Sequence, residues 1–274
     1  MATVSLAHWK NLCYDTVDID LRKKIMEKYL IVCPLVFLAG LIDSIAGGGG
    51  LISLPAYLVA GVPPHMALGT NKTSSSMGTI VSTARLAKNG FVDWKTAIPG
   101  GICAISGAVC GATISLYVSE AVITHMMILI LPVVAFYVLR TKNMGEDERT
   151  GTVTGGKLTA MVCAFGLVMG VYDGFYGPGT GTFLLLLLTG LAHMDTRRAA
   201  GVTKVLNLSS NLSALLTFLI SGNVYYSLGL VSGLFCIAGH SIGSALVERG
   251  GRQVVRPVIL VVLCILFGKL AMGY

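Results

Sequence analysis

The chain has 274 residues, 54% of them hydrophobic and only 12% charged, with a mean hydropathy of +0.77. Soluble globular domains carry about 25% charged residues, so this composition excludes a water-facing surface and points to an integral membrane protein. The formal charge of +7 reads as basic residues gathered on cytoplasmic loops, which hold a membrane protein's orientation; no nucleic acid is expected as a partner.

Apolar runs such as FLLLLLTGLA and VILVVLCILF do not alternate, as the strands of a membrane barrel do. Segments of about 20 apolar residues are what a helix needs to cross ~30 Å of hydrocarbon. The expected fold is all-α, a polytopic transmembrane helical bundle. Seven cysteines are scattered without a CxxC pair, and read as small packing residues, not as a disulfide framework or a metal site.

In chain order, residues 1–29 form an amino-terminal extension. It does not read as a signal peptide, because its long apolar run begins only after Lys28. Within it, 17–29 suit a short amphipathic helix at the membrane interface, with Val17, Leu21, Ile25 and Tyr29 on one side. A first transmembrane unit is expected over 30–140, a hydrophilic linker over 141–156, and a second unit over 157–274. In each unit a first apolar segment (31–46; 157–175) runs into a glycine turn (47–50; 177–181), and a short segment follows (51–62; 182–192). Three longer spans complete each unit, about 66–87, 97–117 and 121–139 in the first, and about 199–220, 225–247 and 254–272 in the second.

The two units read as homologous repeats. An offset of 132 lays GTNKTSSSMGT over GVTKVLNLSSN and places Gly101, Gly107 and Gly111 on Gly233, Gly239 and Gly243. An offset of 130 lays GLIDSIAGGGG over GVYDGFYGPGT, so that Asp43 falls on Asp173. Short segments flanking a glycine turn suit half-helices meeting inside the bilayer, as a re-entrant hairpin; one long, broken helix is the alternative. The hairpin puts most basic residues on one side and makes the repeats inverted copies.

Irregular backbone at membrane depth leaves N–H and C=O groups without partners, so it survives only inside protein or beside a cavity. Gly47, Gly48, Gly49 and Gly50 in one turn, with Gly177, Pro178, Gly179, Thr180 and Gly181 in the other, are therefore candidate substrate-binding residues. Helix N–H groups and dipoles aimed at the turns would favour an anion; tight helix packing by small residues is the competing explanation. Asp43 and Asp173 are intramembrane acids, functional candidates by default, expected either to carry a proton or to cap the turn that follows. Lys72 and Lys204 align with each other and would face an anion, pair with an aspartate of either unit, or snorkel to the surface. Asn71, Ser75 and Asn207 share their polar helix faces. His240, matched by Ala108 in the first unit, reads as a packing histidine. No GxSxG, HExxH or Walker loop occurs, so neither an enzyme nor a metal or nucleotide cofactor is expected.

GLIDSIAGGGGLISLP with LGTNK, and GVYDGFYGPGTGTF with AAGVTK, resemble the TauE/SafE family of sulfite exporters, also called the 4-toluene sulfonate uptake permease family. The resemblance spans about residues 30–272. It implies a multi-pass carrier of the bacterial inner membrane for sulfite, an organosulfonate or a similar small anion. Its motif residues fall here on Asp43, Gly47–Gly50, Asn71, Lys72, Asp173, Gly177, Pro178, Gly179, Gly181 and Lys204. The expected partners are that anion and the lipid bilayer, with a homodimer as one form of assembly. The expected activity is secondary transport by alternating access, with proton coupling through Asp43 or Asp173; an anion channel or a non-transporting scaffold subunit are the rival readings.

Overall fold

The computed structural model describes residues 3–126, 129 and 151–248. Among them every regular element is a helix: α1 (Thr3–Ala46), α2 (Gly50–Val59), α3 (Pro64–Lys88), α4 (Trp94–Tyr117), α5 (Gly155–Phe175), α6 (Thr180–Leu186) continued by a π-helical turn (Leu187–Leu191), α7 (Thr196–Ile220) and α8 (Tyr226–Glu248). The expected span 254–272, most of 121–139 and residues 141–150 of the linker lie outside the described residues, as do the side chains of Val17 and Leu21. The amino-terminal extension and the first apolar segment belong to one helix, α1.

Among the described residues, four helical stretches have the length and apolarity to cross a bilayer: Lys23–Ile45, Trp94–Tyr117, Gly155–Phe175 and Tyr226–Ala245. Gly50–Val59 and Thr180–Leu191 are apolar but shorter. The surface of α4 explains why lipid is its solvent. Ile98, Ile102, Ile105 and Val109 lie exposed at helical spacing, while the opposite face carries Gly100, Ala104, Gly107, Ala108 and Gly111, which are buried or closely packed. Large apolar side chains face outward and small residues inward, as helix packing in lipid requires.

Those small residues set which helices touch. A Cβ added at Gly107 would stand 2.9 Å from Val171 N, so α4 lies backbone to backbone on α5. A Cβ added at Gly239 would stand 2.8 Å from Leu41 N, which brings α8 equally close to α1. Between these two pairs lie α3 and α7, each of 25 residues, or about 37 Å of helix. They carry most of the buried polar side chains and run in opposite directions, since Lys72 bonds Asn211 while Thr83 bonds the Lys204 carbonyl.

Both glycine breaks are chain reversals rather than kinks. At the first, Gly47 has φ +79°, and a Cβ on Gly49 would meet Ala39 O and Asp43 Cβ, each at 2.7 Å. A continuing helix would hold residues 39 and 49 about 15 Å apart. At the second, Gly177 and Gly179 have φ +97° and +83°. Here the Tyr172 hydroxyl donates to Pro178 O at 2.7 Å, and the Phe183 ring centroid lies 5.9 Å from that of Tyr172. Left-handed backbone of this kind is open to glycine at little cost.

Because α4 and α5 meet at backbone distance, Gly107→Ala should destabilise the protein by about 1–3 kcal/mol, the usual cost of overpacking. Gly190→Ala, where an added Cβ meets nothing within 4 Å, should not. Thermal unfolding of the detergent-purified variants checks the pair, and equal melting temperatures would contradict the close contact.

Candidate functional site

The two reversals face each other at the centre of the bundle. The Thr182 N–H donates to Gly47 O at 3.1 Å, so one turn satisfies a backbone carbonyl of the other. A Cβ on Gly181 would stand 2.9 Å from that carbonyl, and one on Gly50 would stand 3.0 Å from Pro178 Cα. Close approach, and not chain flexibility alone, is what these glycines provide.

Each acid lies near the end of the helix leading into its turn and pairs with the lysine of the long helix that follows the other turn. Lys204 Nζ, on α7, donates to Asp43 Oδ2 at 2.7 Å and to the Asp43 carbonyl at 2.8 Å. Lys72 Nζ, on α3, lies 2.8 Å from Asp173 Oδ2 and donates to Asn211 Oδ1 at 2.9 Å. All four side chains are at most 15% exposed. The remaining carboxylate contacts differ between the two. Asp43 Oδ1 accepts the Gly49 N–H at 3.2 Å and so also caps its turn, with His240 Nε2 3.5 Å from Oδ2. Asp173 Oδ2 accepts the Ser210 hydroxyl at 2.6 Å. A lone charge at membrane depth costs a few kcal/mol, and removing one partner of a buried pair costs about 3–5 kcal/mol. The four charges therefore stand or fall as pairs.

Between the turns and these pairs lies a cavity of about 30 Å³, room for roughly two waters at 10–15 Å³ each. Of the residues singled out in the sequence, Asp43, Gly47, Gly49, Gly50, Asn71, Lys72, Ser75, Asp173, Gly177, Gly179, Thr180, Gly181 and Asn207 line it. Gly48, Pro178 and Lys204 are not on its wall. Gly48 accepts the Leu51 N–H, Pro178 packs on Gly50, and Lys204 reaches the site through Asp43. The first residues of α2 and α6 lie on the wall, which turns both helix amino termini towards the space. Asn71 Oδ1, buried beside the cavity, has no hydrogen-bond partner; such a group costs about 1–3 kcal/mol until something donates to it.

The sequence left other wall residues unassigned, among them Ser53, Ser74, Thr79, Asn211, Cys236 and His240. Ser74 and Asn211 belong to the polar helix faces readable at 3.6-residue spacing. His240 is 1% exposed, and its Nδ1 lies 3.2 Å from Ser82 Oγ. It does pack, yet it also borders the cavity; its position in the middle of an apolar span was the available signal. Among the described residues no cluster of His, Cys, Asp and Glu could hold a metal ion.

The model of the family "Sulfite exporter TauE/SafE" matches residues 32–270. The Probable membrane transporter protein ORF9 of Sinorhizobium sp is 37% identical over 226 residues, 82% of this chain and 85% of that protein. The Probable membrane transporter protein YfcA of Escherichia coli K12 is 34% identical over 236 residues, 86% of this chain and 87% of YfcA. A Probable membrane transporter protein of Haemophilus influenzae is 31% identical over 234 residues, 85% of this chain and 91% of that protein. No solved structure matches the chain. A family match over nearly the whole length, around a helical bundle with two apposed glycine turns, places this chain in the TauE/SafE sulfite exporter family.

Proposed function

We propose that this protein is a secondary transporter of the bacterial inner membrane for a small anion, sulfite or an organosulfonate, working by alternating access between two inverted repeats. The observation that carries the reading is the cavity held between two apposed helix amino termini and two crossed lysine–aspartate pairs. Its volume suits a compact oxyanion head. The names of the relatives support transport, and the family description names sulfite as the solute class.

Three contacts favour the inverted relation. α3 and α7, which align in sequence, cross in opposite directions. Gly107 of α4 approaches Val171, and its counterpart Gly239 of α8 approaches Leu41, which is the residue aligned with Val171. The two ion pairs each join an acid from one repeat to a lysine from the other. Inverted repeats that share a midplane site are the usual frame for alternating access.

With both lysines neutralised by carboxylates, the site as it stands is close to charge balance. An anion enters when a proton neutralises Asp43 or Asp173, because the partner lysine is then free to turn its charge on the guest. Asn71, Asn207 and the turn N–H groups add donors. Loading and proton uptake thus favour each other, as coupled transport requires.

Counterflow separates a carrier from a channel: anion preloaded inside proteoliposomes should accelerate entry of labelled sulfite, whereas a pore gives no acceleration. A protein that moves no sulfite or sulfonate, and whose melting temperature ignores every anion in a panel, would be the scaffold instead. The double variant Lys72→Met/Asp173→Asn keeps the core neutral, and should lower anion-induced thermal stabilisation by about tenfold in apparent affinity, the loss of one charge-assisted bond; unchanged stabilisation would remove Lys72 from the site. Finally, Asp43→Asn or Asp173→Asn should flatten the pH dependence of transport. Wild-type pH profiles in both variants would defeat proton coupling.

A further inference from the structure

The two ion pairs are not equivalent, and the difference lies in α8. Ser232, Cys236, His240 and Ser244 recur every fourth residue on its buried face, one stripe along the helix. At the 132-residue offset the corresponding positions of α4 are Gly100, Ala104, Ala108 and Ala112, with no polar side chain among them. The stripe on α8 faces a matching stripe on α3, and the two helices run in the same direction. Near one end the Tyr57 hydroxyl donates to Ser74 Oγ and lies 2.8 Å from Ser232 Oγ. Further along, His240 Nδ1 meets Ser82 Oγ at 3.2 Å. Beyond that, Arg85 donates to Ser244 Oγ at 3.2 Å and to the Ser241 carbonyl at 3.1 Å. Three polar contacts therefore mark the seam between α3 and α8 at intervals, from the cavity to the half-buried Arg85.

We infer that this seam is a proton path and that His240 relays protons between it and Asp43, which makes Asp43 the coupling acid and Asp173 a fixed counter-charge for Lys72. The inference rests on the transporter reading above and assigns its proton to one of the two acids. An imidazole is the one side-chain type here able to accept on one nitrogen while donating from the other near neutral pH. Its two nitrogens face the required neighbours: Nδ1 the seam, at Ser82, and Nε2 the carboxylate, at Asp43 Oδ2. A proton arriving from the seam forms an N–H bond at Nδ1, and the Nε2–H bond breaks to give its proton to Asp43 Oδ2. The ring is neutral before and after, and a tautomer change resets it. The carboxylate becomes a neutral acid, and Lys204 is freed towards the cavity.

Every element packed around the ring bears on this step. α1 supplies Asp43, α7 supplies Lys204, α3 supplies Ser82 with Arg85 one turn on, and α8 itself supplies Cys236 and Ser244. The charges of Asp43 and Lys204 oppose one another at the ring, so it lies beside a compensated pair and not an isolated charge. Asp173 has no such route. The positions matching His240 and Ser82 are Ala108 and Ala214, and its carboxylate is held by Lys72 and the Ser210 hydroxyl.

The test uses the full chain in proteoliposomes with an internal pH dye and sulfite as the probe anion, comparing wild type with His240→Gln and Ser82→Ala. In His240→Gln, the sulfite-driven proton movement should fall by about a hundredfold relative to the sulfite flux measured in the same vesicles, the low end of what a positioned proton-transfer group contributes. Ser82→Ala should slow proton movement less. Proton movement in His240→Gln within twofold of wild type, or sulfite flux in wild type without any proton, overturns the relay. A second measurement needs no transport: infrared pH titration in detergent, with the Asp43 carboxyl band identified by its loss in Asp43→Asn. Its titration should move in His240→Gln and stay put in the double variant Lys72→Met/Asp173→Asn; an unmoved band in His240→Gln overturns the relay. If wild type moves no anion at all, the transporter reading fails by itself, and the infrared titration still decides the contact between His240 and Asp43.

Discussion

Two crossed lysine–aspartate pairs are the constraint on which the rest of the bundle depends. Four ionisable side chains within a helical membrane protein are tolerable only if each charge meets an opposite one at hydrogen-bond distance. That demand fixes the relation between the hairpin that carries the acid and the long polar helix that carries the lysine. Asp43 binds the first reversal to α7, and Asp173 binds the second to α3. The polar helices are thereby held inside, beside the turns, although their own hydropathy does not place them among the four clear spans.

Around this charged centre, packing is organised by what is missing from side chains. Gly107 and Gly239 let α4 and α8 settle on the backbones of α5 and α1, while bulky aliphatic residues such as Ile98 and Ile102 are left outside. Lipid tails are as apolar as those side chains, so no hydrophobic drive gathers the helices. Close backbone contact and the buried polar bonds do that work instead. The same logic accounts for the breaks. The Gly47 carbonyl, freed where the chain reverses, and the Thr182 N–H, left over in the first turn of α6, are acceptable because they bond each other.

Much of this was legible in the sequence because charge and glycine stand out against an apolar background. Asp43, Asp173, Lys72 and Lys204 could be picked out and aligned from the chain alone, as could both turns, and thirteen of the sixteen residues named there lie on the cavity wall. What could not be read was which lysine meets which acid. The crossing is set by the packing of α3 against α7, which has no local sequence signal. The direction of the chain after each turn was also open, since a kinked helix and a hairpin share one hydrophobic pattern. His240 is the packing histidine that the sequence led one to expect, buried against Ser82, but its place beside Asp43 could not be read, for a related reason. Helical spacing places it on a stripe with Ser232 and Ser244, but not against Asp43, a residue almost two hundred positions away.

The contact between the two turns also constrains how the chain can change over generations. A methyl group on Gly47 would press on the backbone of Gly181 and Thr182, and one on Gly181 would press on the Gly47 carbonyl. Neither glycine can therefore be exchanged without the facing backbone retreating first. His240 and Ala108 occupy matching places on α8 and α4 yet face different surroundings. Where the two turns touch, a substitution on one side has to wait for room on the other, so tolerated changes at Gly47 and Gly181 would come in pairs.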